Sequence, residues 1–282
     1  MLNRNDRARI AADTVAILEA GHYTSASGKP VSIRDAQAAA VAGTVLIRPD
    51  DALPDGAAAI DDTHQPRLRV ICTTTFSAAR ELAAAGRHVV ALNFASAKNP
   101  GGGFLGGARA QEEDLAMRSG LFGCINGSPM YAHNRRANDP LYSHHMIWSP
   151  RVPVFRDDDT GALLDEPWPC SIITAPAVNA GNVRERHPQV ASQIEPTMRE
   201  RAHRVLAVAH AHGGRGNDAP ALVLGAWGCG VFRNDPAVVA TIFRDLLIAD
   251  GAAWRGVFAD ITFAVLDPAM CDVFARIIPA TA

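Results

Sequence analysis

The chain has 282 residues, enough to bury a sizeable core as one α/β domain, and its 48% hydrophobic and 20% charged residues are typical of a soluble globular protein. A formal net charge of −2 argues against generic nucleic-acid binding, so an anionic ligand has to be held locally. The start of the chain lacks an apolar leader and no apolar run is long enough to cross a bilayer, so we expect a cytoplasmic protein without membrane contact.

The first half of the chain predicts a helix followed by a βαβ unit. Residues 6–20 carry apolar side chains at helical spacing, and Gly21 is suited to end that helix. Residues 68–73 and 88–94 are typical of buried strands, and residues 76–85 between them are typical of a helix.

The second half continues the alternation after one long irregular stretch. A helix is predicted over residues 111–123, and residues 124–169, rich in Pro, Asn, Asp and His, are interpreted as a cover over a site, with a hairpin turn at 157–161. Strands are predicted at 171–175, 221–227 and 257–265, and helices at 196–212 and 236–249. The alternation predicts a largely parallel sheet covered on both faces.

A first glycine-rich loop, "NFASAKNPGGGFLGG", follows the strand that ends at Phe94. Gly101, Gly102 and Gly103 lack a Cβ, so they can adopt positive φ and let backbone N–H groups approach a ligand. Ligands of open α/β sheets bind beyond the carboxyl ends of the strands, which is where this loop is expected.

A second glycine-rich loop, "GAWGCGVFRNDP", runs from a strand into a helix that Asp235 can cap and Pro236 can begin. Gly228 and Gly230 would let its amides surround a diphosphate near the positive helix end. The alternative is a tight turn without a ligand. Neither loop is followed by Gly-Lys-Ser/Thr or contains a complete Gly-x-Gly-x-x-Gly, which disfavours an NTPase or a dehydrogenase.

Two adjacent acids, Glu112 and Glu113, begin the helix that follows the first loop. Acidic side chains at a helix N-terminus can simply complement the helix dipole. Next to a loop suited to ribose or phosphate, however, a carboxylate would lie beside a sugar. Two adjacent residues are not expected both to face one point across a bond, as the two carboxylates of ordinary glycosidases do, so one acid should transfer the proton.

The cysteines and histidines indicate neither a metal site nor a cofactor. The five cysteines lack the close pairs of a zinc site, and we expect reduced, mostly buried thiols. They are Cys72, Cys124, Cys170, Cys229 and Cys271. The histidines lack metal-ligand spacing with carboxylates or thiols, so hydrogen-bonded or solvated roles are expected for them.

The spacing of Gly101-Gly102-Gly103, seven residues and Gln111-Glu112-Glu113 resembles the signature of the poly(ADP-ribose) glycohydrolases, a macrodomain-related family. The stretches "LNFASAKNPGGGFLGGARAQEEDLAMRSGLF", "DPLYSHHMIWSPRVPVFRDDD" and "LVLGAWGCGVFRNDP" resemble its bacterial, microbial-type branch. The resemblance extends from about residue 5 to about residue 266.

This resemblance implies a three-layer α/β/α macrodomain-like mixed sheet with an N-terminal helical extension. It implies one domain over residues 1–282, with the extension at about 1–66 and the core at 67–282. The implied activity is hydrolysis of the ribose–ribose O-glycosidic bonds of poly(ADP-ribose), releasing ADP-ribose. The implied partners are this polymer, ADP-ribose and ADP-ribosylated proteins.

The resemblance also implies roles for individual residues. Glu113 corresponds to the catalytic acid and Glu112 to its partner in holding the terminal ribose. The loop from Gly228 to Phe232 corresponds to the diphosphate loop, with Phe232 against that ribose. The expected substrate-binding residues are Gly102, Gly103, Asn99, Gln111, Gly228, Cys229, Gly230, Val231 and Phe232.

Two other functions use the same features. A non-catalytic ADP-ribose reader would share both loops, although Gln111-Glu112-Glu113 argues against it. A hydrolase that removes single ADP-ribose groups from protein side chains would share the acids as well.

Overall fold

The structure, a computed structural model, describes residues 3–54, 66–214 and 220–281. The strands are β1 His22–Thr24, β2 Pro30–Ser32, β3 Val45–Ile47, β4 Arg67–Ile71, β5 Val89–Ala95, β6 Met146–Arg156, β7 Leu163–Pro176, β8 Ala221–Leu224 and β9 Asp260–Ala264. The helices are α1 Arg4–Ala20, α2 Arg34–Ala42, α3 Thr75–Ala84, α4 Gln111–Arg118, α5 Leu121–Ile125, α6 Pro129–Ala137, α7 Ala180–Arg186, α8 Ile194–Gly213, α9 Pro236–Leu247 and α10 Pro268–Ile277. No described helix is both long and apolar enough to span a membrane.

The central sheet has seven strands in the order β3-β6-β7-β5-β8-β9-β4. The strands from β7 to β4 in this order are mutually parallel, as the alternation of strands and helices predicts. β6 is antiparallel to β7, and β3 is antiparallel to β6, so the sheet is mixed. β1 and β2 form a separate antiparallel pair.

The interpretation of residues 124–169 as a cover is wrong for much of that segment. It contains α6, all of β6 and the first half of β7, and β6 with β7 forms an antiparallel hairpin inside the central sheet. The turn of that hairpin is the predicted one, because the Asp157 N–H donates to the Ala162 carbonyl and the Gly161 N–H to the Asp157 carbonyl. Prolines and two register shifts interrupt the alternation of side chains that would have identified the strands.

Alternate residues of the strands enter two separate hydrophobic cores. Val90 and Leu92 of β5 pack in the core beneath α8, α9 and α10. Val89 and Ala91 of the same strand pack in the core on the opposite face, beneath α2, α3, α5 and α6. Because successive side chains of a strand point to opposite faces, a strand covered on both sides has the continuous apolar sequence seen here.

The N-terminal segment supports the first glycine loop from outside. α1 packs on a 3₁₀ turn at Phe104–Gly106 and on α4. Arg4 Nε donates to the Gly106 carbonyl at 2.9 Å, and Arg7 Nε donates to the Gly107 carbonyl at 2.9 Å. The predicted boundary near residue 66 follows residues 55–65, which lie outside the described residues together with residues 1–2, 215–219 and 282.

The helix predicted over residues 111–123 is two helices. Ser119 has an extended backbone, with φ −143° and ψ 176°, and forms a bridge with Val154 of β6. The Gly120 N–H donates to the Pro153 carbonyl at 2.9 Å. These contacts with β6 end α4 at Arg118 and let α5 begin at Leu121.

The expectation of five reduced cysteines is wrong for one pair. Cys72, which follows β4, and Cys271, in the first turn of α10, form a disulfide between residues 199 positions apart. α10 packs against β4, so the fold brings the two sulfur atoms together. Cys124, Cys170 and Cys229 are buried free thiols.

Candidate active site

The two glycine loops lie side by side at the carboxyl ends of β5 and β8. We call residues 96–107 loop 1 and residues 225–235 loop 2. β5 and β8 are neighbouring parallel strands, so the segments that follow them leave the sheet at the same edge. β5 and loop 2 are in close contact, since a Cβ added at Gly225 of loop 2 would lie 3.1 Å from the ring of Phe94 in β5.

Loop 1 folds tightly over the start of α4. Gly101 and Gly102 have φ values of 69° and 61°, in the left-handed region that favours glycine, as predicted. Gly103 does not adopt a positive φ, since its φ is −107°. It lies near Ala108, where an added Cβ would come within 2.9 Å of the Ala108 Cβ, so close packing accounts for this glycine.

Both acids of the motif are buried beneath loop 1 and accept hydrogen bonds from its backbone. Glu112 and Glu113 are 3% and 8% exposed. The Ser96 N–H donates to Glu112 Oε2 at 2.6 Å, and the Gly103 N–H donates to Glu113 Oε1 at 2.8 Å. The first turn of α4 and loop 1 therefore hold the two carboxyl groups together.

The two acids also converge on one point, contrary to the expectation for adjacent residues. A Cβ added at Gly102 would lie 2.3 Å from Glu113 Oε1 and 3.1 Å from Glu112 Oε2. Both glutamate side chains are long enough to turn back toward the same backbone segment. The directions in which the two side chains leave the helix do not by themselves reveal this. Gly102 is the residue that both carboxyl groups face.

Burial raises the pKa of Glu112 to about 8 against the opposing effect of the Ser96 N–H, with a smaller raising contribution from the nearby Glu113 and a smaller lowering one from the Asn93 side chain. At neutral pH Glu112 is therefore mainly protonated.

Gln111 anchors α4 to β5. Its amide oxygen accepts from the Phe94 N–H at 2.8 Å, and its amide nitrogen donates to the Leu92 carbonyl at 2.8 Å and to Thr75 Oγ1 at 3.0 Å. Both ends of the side-chain amide are thus engaged within the protein. This anchoring fixes the position of the two glutamates that follow in the sequence.

The structure identifies Asn93, which sequence reasoning missed, as a partner of the acids. Asn93 is fully buried in β5, donates to Thr174 Oγ1 at 3.2 Å and lies near the Glu112 carboxyl group, whose pKa its side chain lowers. Its signal in the sequence is a polar amide inside the apolar strand "VVALNFA". Asn99 is exposed, and its backbone carbonyl accepts from the Gly102 N–H at 3.0 Å, which closes the turn of loop 1.

Loop 2 combines a rigid base with an exposed tip. Gly228 has φ 73°, and a Cβ there would lie 2.4 Å from the Ala177 Cβ. Asn234, also missed from the sequence, fastens the loop by donating to the Val178 and Gly228 carbonyls at 2.8 and 3.1 Å. Val231 at the tip is 79% exposed.

The remaining residues of loop 2 lead into α9 as predicted. Asp235 caps α9 by accepting from the Ala237 N–H at 2.8 Å, and Pro236 occupies the first turn. Cys229 is buried, which raises the pKa of its thiol to about 12 and excludes it as a thiolate nucleophile at neutral pH. Phe232 is half-buried, with its ring centroid 6.2 Å from that of Tyr142.

A cavity of about 740 Å³ opens beside the two loops. Its walls come from the carboxyl ends of β5 and β9, the segments that follow β4 and β8, α4 and the 157–161 turn, and they include Phe94, Gln111, Asp114 and Ala226 but neither Glu112 nor Glu113. This volume lies within the range of ordinary small-molecule sites. Among the residues that the structure describes, no group of three or more His, Cys, Asp or Glu side chains could hold a metal ion.

Comparison with known proteins agrees with this arrangement. The chain is similar to the crystal structure of poly(ADP-ribose) glycohydrolase from Thermomonospora curvata, with 47% identity and a TM-score of 0.86 over 97% of this chain and 100% of that chain. The same values apply to that enzyme bound to the inhibitor ADP-HPD. The Deinococcus radiodurans enzyme in complex with ADP-ribose is 47% identical, with a TM-score of 0.77 over 86% of this chain and 97% of that chain.

The comparison with curated proteins gives no match. The family model for the microbial-type PARG catalytic domain matches residues 11–157, more than half of the chain and the part that contains loop 1 and both glutamates. With this match and near-complete coverage of solved relatives at 47% identity, the chain belongs to the microbial-type poly(ADP-ribose) glycohydrolases.

Proposed function

We propose that this protein hydrolyses the ribose–ribose O-glycosidic bonds of poly(ADP-ribose) through general acid–base catalysis by Glu113. The glycosidase activity itself follows from the family to which the chain belongs. The observation that supports a glutamate mechanism is the pair of buried carboxyl groups converging on Gly102.

The terminal ADP-ribose unit would lie across the two loops. The relatives from T. curvata and D. radiodurans bind ADP-HPD and ADP-ribose, respectively. In this chain, the amides of Gly228 to Phe232 and the N-terminus of α9 would hold the diphosphate. Gly102, Gly103 and Asn99 would surround the terminal ribose, with the adenosine in the adjoining cavity.

A proton on Glu113 would drive bond cleavage. Glu113 donates its proton to the oxygen of the leaving ribose as the glycosidic bond breaks, and an oxocarbenium-like centre forms on the terminal ribose. The diphosphate of the same unit stabilises that positive charge. A water molecule then attacks the centre while Glu113 takes up a proton from it, which restores the acid. General acid–base assistance of this kind contributes about 10²–10⁴-fold to the rate.

Glu112 would act by orientation and by charge. The Ser96 N–H holds one oxygen of its carboxyl group, and its raised pKa keeps it neutral near pH 7. A neutral Glu112 can donate a hydrogen bond to a ribose hydroxyl and avoids a second buried negative charge once Glu113 has donated its proton.

The proposal also covers the fold, the domain boundary, the cellular location and the partners expected from the sequence. A mixed sheet between two helical layers, with a glycine-rich loop after β8, supports a macrodomain-like fold. We also propose a single domain with an N-terminal extension ending near residue 66, a cytoplasmic location and ADP-ribosylated proteins as partners.

Two substrates test the proposal. Automodified poly(ADP-ribose) and mono-ADP-ribosylated protein are incubated with the enzyme, and ADP-ribose released from each is quantified. Release from the polymer, lost in Glu113→Gln, is the expected result. Binding without release would indicate a reader, and release from the mono-modified protein alone would indicate a mono-ADP-ribosyl hydrolase.

A further inference from the structure

A cation and two aromatic rings form a rim between the two loops, outside the cavity. Lys98 of loop 1 places its Nζ 5.8 Å from the centroid of the Tyr142 ring. The Tyr142 ring lies 6.2 Å from the Phe232 ring of loop 2. Neither Lys98 nor Tyr142 lines the 740 Å³ cavity. We call Lys98 and Tyr142 the outer rim.

The fold holds Tyr142 in place against its backbone preference. Its φ is 61°, a left-handed conformation that a bulky residue rarely adopts. The fully buried Arg201 donates to the Leu141 and Tyr142 carbonyls, both at 3.0 Å, and to the Pro176 carbonyl at 2.9 Å. A strained residue persists only where its surroundings over-determine it, and such residues concentrate at functional sites.

Lys98 is positioned by the same loop that holds the acids. The Lys98 N–H donates to Ser96 Oγ at 3.3 Å, and the Lys98 carbonyl accepts from Arg135 of α6. Ser96 in turn donates its N–H to Glu112. The backbone of Lys98 is therefore fixed, while its half-buried side chain extends to the Tyr142 ring.

Poly(ADP-ribose) places a second nucleotide next to the bond that breaks. In the proposed complex, the terminal unit occupies the loops and the cavity, and the glycosidic oxygen faces Glu113. The departing unit therefore has to lie outside that site, and it carries an adenine ring and a diphosphate. Aromatic side chains stack on bases without sequence preference, and an ammonium group pairs with phosphate.

We propose that the outer rim is the subsite for the departing ADP-ribose unit, with Lys98 binding its diphosphate and Tyr142 stacking on its adenine. The inference rests on the proposed function and adds a substrate preference to it. A polymer would use the outer rim, whereas an ADP-ribose group with a small leaving group would not reach it.

The test compares two leaving groups on the same terminal unit. One substrate is poly(ADP-ribose), and the other is ADP-ribose carrying 4-nitrophenol on its terminal ribose. Lys98→Met retains the apolar stem and removes the charge. We expect kcat/KM for the polymer to fall about five-fold, the scale of one partly exposed charge contact, and kcat/KM for the nitrophenyl substrate to change less than two-fold. The loss should shrink at higher ionic strength.

Two further variants serve as a control for the loss of positive charge and as a test of the Tyr142 ring. Arg136→Ala removes an exposed positive charge from the last turn of α6, and both substrates should be hydrolysed at the wild-type rate. Tyr142→Asn removes the ring at a position where asparagine tolerates positive φ, and it should reproduce the polymer-selective loss. Thermal denaturation and calorimetric ADP-ribose affinity confirm that each variant is folded and retains the terminal-unit site.

Two results would overturn the inference. Equal losses for both substrates would assign Lys98 to the terminal unit, and unchanged polymer kinetics in both outer-rim variants would show that no such subsite exists. Failure of the proposed function is distinguishable, because the wild-type enzyme would then release no ADP-ribose from the polymer.

Discussion

Replacing Gly102 by alanine should separate the catalytic geometry from backbone strain. Gly102 has φ 61°, and an alanine Cβ would lie 2.3 Å from Glu113 Oε1, whereas ordinary contact begins near 3.4 Å. The carboxylate would thus have to retreat by about 1 Å, and a misplacement of this size can cost about 10²-fold in rate. The left-handed conformation alone costs about 1–2 kcal/mol for a residue with a Cβ.

Gly28 provides the matched control. It has φ 86°, and nothing lies within 4 Å of an added Cβ. Gly28→Ala should therefore lose about 1–2 kcal/mol of unfolding free energy and retain the wild-type kcat.

The assay combines urea denaturation with initial rates of ADP-ribose release from the polymer. Gly102→Ala is expected to lose at least as much stability as Gly28→Ala and about 10²-fold in kcat. A Gly102→Ala enzyme with kcat within two-fold of wild type would refute the placement of Glu113 at the reacting bond.

Four further predictions follow from the site and the fold. Glu113→Gln should lower turnover by about 10² or more with ADP-ribose affinity largely retained, and Glu112→Gln should cost no more than that; near wild-type turnover in Glu113→Gln would leave the acids as helix-terminus charges. The folded-state pKa of Glu112 is raised to about 8, so the folded protein binds more protons than the unfolded chain between about pH 4.5 and 8, and its free energy of unfolding should fall as pH rises through that window. This fall should be shallower in Glu112→Gln. Equal slopes of unfolding free energy against pH in the two proteins would contradict the raised pKa. Phe232→Ala should reduce kcat/KM several-fold at unchanged melting temperature, since aromatic contacts contribute about 1 kcal/mol, and unchanged kinetics would remove Phe232 from the ribose site. Reducing the disulfide between Cys72 and Cys271 should lower the free energy of unfolding by about 2–5 kcal/mol. If reductant lowered the free energy of unfolding of Cys72→Ala by the same amount, the decrease would not come from this disulfide.

Local features of the site could be predicted because neighbouring residues encode them. The glycines of loop 1 and the acids of α4 are joined by a short segment, so their proximity follows from the spacing. The cap at Asp235 and Pro236 likewise depends on one helix turn, and the structure has both. The antiparallel β6 was not predicted, since its prolines and register shifts disturb the alternation that indicates a strand.

The remainder depends on contacts between distant segments. Periodicity cannot reveal that Cys72 meets Cys271, 199 positions away, because the packing of α10 on β4 brings them together. It cannot reveal the contact of Asn93 with Glu112 either, since the fold of loop 1 and α4 over β5 creates it. The sequence by itself determined the parallel strands, the caps and the residue types of the site, which arise from hydrogen bonding and burial within a few residues. Only the tertiary structure decided that the Glu112 carboxyl group is desolvated and its pKa raised, because a pKa depends on everything packed around the group.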